Sequence, residues 1–121
     1  MIKAIKFASV PVRDQDLALS FYTERLGFRV VTDQPITKEQ RWIELGIPGA
    51  ETRLVLFTPD GEGDGIGSTS NVTFMADDVQ QTYEELENRG VAFTSPPQSM
   101  PWGTFTSFED PDGNTFVLSS R

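Results

Sequence analysis

The spacing of apolar positions changes from the two-residue rhythm of a strand to the wider rhythm of a helix, then back, and does so twice along the chain. Ile5 to Val12 reads as a strand. Leu17, Phe21, Tyr22 and Leu26 then recur at helical spacing, with Asp14 or Asp16 placed to cap the first turn and Gly27 to stop the last. Three extended segments follow, Phe28 to Thr32, Arg41 to Leu45 and Thr52 to Thr58. The second half repeats the order. Asn71 to Ala76 is strand-like, Asp77 or Asp78 can cap, and Val79, Tyr83 and Leu86 mark an amphipathic helix that ends at Gly90. Ala92-Phe93-Thr94, Thr104 to Phe108 and Thr115 to Ser119 complete it.

Matching landmarks give the repeat its register. Gly27 and Gly90 lie 63 positions apart, as do Pro48 and Pro111, each proline in a turn between the last two strands of its half. A period near half the chain means a duplication, since solenoid repeats are much shorter. The expected fold is α+β, two tandem βαβββ modules at about 1–59 and 68–121. Residues 60–67, where glycine alternates with acid, form the expected mobile connector. At 121 residues the whole reads as one domain.

Composition narrows the chemistry. Eighteen acidic against ten basic side chains give a formal charge of -8, with the cations scattered, so neither nucleic acid nor an anionic membrane is an expected partner. There is no Cys and no His, which removes disulfides, thiolate sites, the usual neutral-pH general base and the commonest nitrogen ligand for transition metals. Met1-Ile2-Lys3-Ala4 leads straight into the first strand without a signal-like apolar stretch, and no apolar run approaches about 18 residues, so the chain reads as cytoplasmic.

Val10-Pro11-Val12-Arg13-Asp14 on a strand, then a helix with Ser20-Phe21-Tyr22 ending Leu26-Gly27-Phe28, resembles the opening signature of the vicinal oxygen chelate superfamily, the glyoxalase/bleomycin resistance protein/dioxygenase family. Glu109-Asp110-Pro111-Asp112-Gly113-Asn114 before the last strand resembles its closing signature, so the resemblance runs from about Ile5 to Leu118. It implies curved mixed sheets around a cavity with helices outside. It also implies metal-ligand positions on the first and fourth strands of each module, which here are Phe7, Val55, Asn71 and Val117. Three hydrocarbons and an amide do not make a divalent-ion site, so no metal or other cofactor is expected. A one-residue shift would turn each strand's apolar set to the wrong side.

In that register the cavity side receives Phe7, Trp42, Glu44, Arg53, Val55, Phe57, Asn71, Phe105 and Val117, apolar walls with a few polar groups as small-molecule pockets have. Trp42 is a ligand contact or an interface anchor. Trp102, in Met100-Pro101-Trp102-Gly103, closes over a ligand or covers a sheet end. Glu44 and Arg53, on adjacent strands, pair across a hairpin; if buried, they become orienting or proton-transfer groups. The Asp110–Asn114 stretch is explained by turn chemistry and has no catalytic role.

Three functions follow from the resemblance. The first is metal-independent binding of a drug or toxic metabolite by a homodimer, similar to bleomycin resistance proteins. The second is a lyase or isomerase, either with Glu44 as its base or glyoxalase-like with an atypical site. The third is a regulatory or stress-response dimer with a vestigial cavity.

Overall fold

A computed structural model describes residues 1–59 and 66–121, so the expected mobile connector at 60–67 lies largely outside the described residues. The chain divides into two compact units, Met1–Ile66 and Gly67–Arg121.

In the first unit, β1 (Phe7–Pro11) leads to α1 (Gln15–Ser20), which continues as a π turn over Phe21–Arg25. Strands β2 (Arg29–Pro35), β3 (Arg41–Gly46) and β4 (Arg53–Phe57) follow. The sheet order is β1-β4-β3-β2, with β1 parallel to β4 and the other pairs antiparallel. Of the two candidate caps it is Asp14 that acts, its carboxylate accepting from the Asp16 and Leu17 amides. The helix closes around Gly27 at φ 79°, where Phe28 N–H reaches back to Tyr22 O.

The helix differs from the expected stripe. Leu17 is 62% exposed, and the buried positions are Gln15, Ala18 and Tyr22. Gln15 occupies the place facing the sheet because its amide ties strands together. It donates to Arg41 O (2.8 Å) and Leu56 O (3.1 Å) and accepts from Arg41 N–H (3.0 Å). The last turn widens, with Leu26 N–H bonding five residues back to Phe21 O, and Tyr22 is fully buried. Beneath lie Val10, Ile43, Leu45, Leu54 and Leu56, all buried. Burying each contributes roughly 1.5–3 kcal/mol.

The second unit runs β5 (Thr69–Met75), α2 (Val79–Asn88), β6 (Ala92–Phe93), β7 (Gln98–Met100), β8 (Gly103–Glu109) and β9 (Thr115–Ser119). Asp78 caps α2 through the Gln81 amide, and Val91 N–H closes on Leu86 O around Gly90 at φ 91°. The order β5-β9-β8-β6 repeats the first sheet, again with one parallel pair, β5 with β9. Where the first unit has the single strand β2, this one has two. Both β6 and β7 pair with β8, at Phe108–Glu109 and at Gly103–Phe105. The unanticipated break holds Pro96 and Pro97, which have no N–H to give a ladder. The core is aromatic: Phe74, Phe108 and Phe116 lie within 5.2–6.0 Å of one another, and Phe93 bridges Phe108 to Tyr83.

The fold is thus α+β with duplicated modules, each helix on one face of its own mixed sheet. Among the described residues no helix is long and apolar enough to cross a membrane.

Candidate functional site

Alternation along the strands gives each sheet a face away from its helix, and the candidate residues fall into two sets on these faces. In the first unit the pairing sets Ser9, Val55, Glu44 and Thr32 in one row across the four strands. Phe7, Arg53, Gly46 and Arg29 form the neighbouring row. Phe57 and Trp42 stand on the other side of the Val55–Glu44 pair.

These side chains meet. Phe7 and Trp42 touch edge to face with centroids 5.5 Å apart, and Val55, between their strands, is 1% exposed. Glu44 is 7% exposed, and both of its oxygens are occupied. Trp42 Nε1 donates to Oε1 at 3.1 Å and Arg53 Nη1 to Oε2 at 2.6 Å. The Arg53 hydrogen bond, aided by that from Trp42, holds the Glu44 carboxyl below its ordinary 4.5 against the opposing effect of burial. A carboxylate so held keeps its charge and orients its neighbours. It is poorly suited to take a proton near pH 7.

Reasoning from the sequence alone missed the part of this face built from β2 and Gly46. Gly46 is buried, and a Cβ there would stand 3.0 Å from Arg29 Nε and 3.2 Å from Arg29 Cγ, so the Arg29 side chain crosses the strand where no side chain is present. The available signal was a glycine inside an apolar strand, which often marks a close approach.

In the second unit Asn71, Thr73 and Met75 project from β5, Phe105 and Ser107 from β8, and Thr115, Val117 and Ser119 from β9. Asn71 and Thr73 are exposed, Met75 is 62% exposed, and Phe105 and Val117 are half-buried. Asn71 falls where the β5–β9 register slips between Thr69 and Thr73, with Ser70 Oγ accepting from Val72 N–H. Trp102 occupies the turn of the β7–β8 hairpin and is 75% exposed.

A cleft of about 420 Å³ that the sequence did not signal opens beside the start of α1, lined by Arg13, Gln15, Lys38, Arg41 and Thr58 among others. Its central groups already hold one another: Arg41 binds Asp33 through two hydrogen bonds and Asp16 through a third, and Gln15 is tied as above. This is a cross-tie of the unit rather than a set of groups free to grip a ligand. The Asp110–Asn114 turn is likewise self-contained. Asp110 accepts from the Asp112 and Asn114 amides and from Asn114 Nδ2, each at 2.9 Å, and Asn114 Oδ1 accepts from Gly67 N–H.

The positions at which the resemblance implies a metal do not fit one. Phe7, Val55 and Val117 offer no lone pair, Val55 lies under neighbouring side chains, and Asn71 is a lone neutral amide. Among the described residues no group of three or more Cys, His, Asp or Glu is placed to hold an ion.

The family model described as the Glyoxalase/Bleomycin resistance protein/Dioxygenase superfamily matches residues 4–118. The chain is 40% identical to the uncharacterized protein YetH of Bacillus subtilis (strain 168), over 98% of each. Among solved structures, a superfamily member from Sphaerobacter thermophilus DSM 20745 superposes with a TM-score of 0.90 at 36% identity, covering 99% of this chain and 98% of that one. TnmS3, an antibiotic binding protein from Streptomyces sp. CB03234, superposes with a TM-score of 0.86 at 36% identity, covering 98% and 96%.

Proposed function

The chain belongs to the glyoxalase/bleomycin resistance protein/dioxygenase superfamily, and from that premise we propose that it is a binding protein that sequesters a small, largely apolar molecule, a drug or toxic metabolite, without a metal of its own. The observation that carries this reading is the helix-free face of the second sheet. Met75 is exposed in the row of half-buried Phe105, near half-buried Val117, with Asn71, Thr73 and Ser107 on the same face, and Trp102 is exposed in the turn that leads into β8. Apolar contact of this kind supplies affinity, and the interspersed polar groups orient the ligand. In the first unit Trp42 and Phe7 offer an aromatic wall. Glu44 acts there as a positioning group for Trp42 and Arg53, not as a base. Similarity to an antibiotic binding protein supports the same class of activity.

A thermal-shift screen of the full chain against quinones, aromatic acids, cationic glycopeptides and thiol adducts, with chelator present, tests the proposal. A ligand at 100 times its dissociation constant stabilises by about 2.7 kcal/mol. A shift from at least one class is expected. Its absence throughout, together with binding that returns only on adding a divalent ion, would contradict the reading.

The exposure of Met75 and Trp102 also favours a second reading, in which they anchor a homodimer. Sedimentation of Met75→Ser/Trp102→Ala separates the two: a dimer that becomes a monomer assigns the surface to the partner copy, whereas unchanged mass with weaker ligand binding assigns it to the ligand.

A further inference from the structure

We propose that Arg29 and Arg53, on either side of Gly46, form an anion-recognition site on the helix-free face of the first sheet, which takes the carboxylate of a ligand whose aromatic body lies against Phe7 and Trp42. The inference rests on the binding reading above and names the class of ligand that this face selects.

Register brings the two cations together. Arg29 pairs with Gly46 and Gly46 with Arg53, so the three stand side by side on adjacent strands and project from one face. Between two long cationic side chains the sequence has the one residue without a side chain. The Arg29 stem and Nε pass over that position at distances an added Cβ would disturb. The Arg29 side chain thereby lies over Gly46 on β3, the residue that pairs with Arg53 on β4. Phe7 pairs with Arg53 in the same row, which puts an aromatic ring beside the cations.

The donors there are not used up. A guanidinium has five N–H groups. Arg53 gives a hydrogen bond to Glu44 from Nη1, and its side chain is still 44% exposed. Arg29 is exposed, and its side chain has no hydrogen-bond or ion-pair partner among the described residues. Glu44, the acid in the neighbouring row, already receives Trp42 on one oxygen and Arg53 on the other. Ser9, Val55 and Thr32, the other members of its row, are uncharged. Two guanidinium groups against one engaged carboxylate leave a local positive charge in a chain whose formal charge is -8. Planar, forked donors of this kind match a carboxylate, which can take two parallel N–H groups from one guanidinium.

Calorimetric titration of the full chain with 2-naphthoate and with its neutral counterpart 2-naphthamide tests the site. A charge-assisted hydrogen bond corresponds to about a tenfold or larger difference in dissociation constant. The wild type is expected to bind the carboxylate at least that much more tightly. Arg29→Gln should bring the two affinities together, chiefly by weakening the carboxylate's. Equal affinities in the wild type, or a preference that Arg29→Gln leaves intact, would overturn the anion site yet leave the binding reading standing. Binding of neither compound would also overturn it, and the binding reading would then be decided by the separate screen.

Discussion

The two units share one plan and differ on one face. Both bury the side that meets the helix: Val10, Ile43, Leu45, Leu54 and Leu56 in the first, Phe108, Phe116 and Leu118 in the second. On the other side they part. In the first unit Glu44 holds Trp42 and Arg53 and Val55 is buried, while Arg29 stays exposed. The second leaves Asn71, Thr73 and Met75 exposed, with Trp102 exposed in the adjoining β7–β8 turn. The helix side has one packing problem, to fill the space under a helix, and each unit solves it with its own volume, aliphatic or aromatic. The face without a helix has no such demand, so there the copies are free to acquire separate chemistry.

The strongest test of the shared side is truncation. Leu56→Ala should lower stability by about 2–5 kcal/mol and Phe116→Ala by about 3–5 kcal/mol, read from denaturant midpoints. A negligible loss in either would break the equivalence. The differing sides should separate more sharply. Glu44→Leu strands the indole N–H and removes the ion pair of Arg53, for a loss of about 2 kcal/mol. Thr73→Val, on an exposed strand position, should stay within about 0.5 kcal/mol. Similar costs for these two would erase the contrast.

Acid sharpens the same comparison. Because the folded Glu44 carboxyl lies below its ordinary 4.5, the unfolded chain binds that proton more readily. The stability Glu44 contributes is complete above about pH 4.5 and is lost as pH falls through the folded value. Glu44→Gln should therefore flatten the pH dependence of unfolding in that window. No residue named on the second unit's free face is titratable, so Asn71→Ala should leave the slope unchanged. The smallest expected effect on stability is that of Trp102→Ala, within about 0.5 kcal/mol, coupled to weaker ligand binding.

Much of the fold was legible because its signals are local. Cap residues, the stop glycines, the proline turns and the span of β9 come from chemistry that acts within a few residues. The pairing of Glu44 with Arg53 followed from hairpin register. What escaped depends on distant partners. Leu17 fits a helical stripe by spacing, but Gln15 bonds backbone on β3 and β4, and no local pattern announces that. The strand β7 is short, polar and preceded by two prolines, so only its pairing with β8 defines it. Arg29 reads as an ordinary surface cation until Gly46 is seen beneath it.

On the proposed function, the helix-free faces are where this protein takes its ligand. Amide and indole NMR shifts of ¹⁵N-labelled protein, followed while the strongest binder from the screen is added, test it directly. Saturable shifts should appear at Trp42 or Trp102 Nε1–H and at Asn71, Thr73 and Val117, with Ala18, Leu56 and Phe116 little moved. Shifts confined to the cleft of Arg13, Lys38 and Arg41, or to the helix-packed sides, would contradict it.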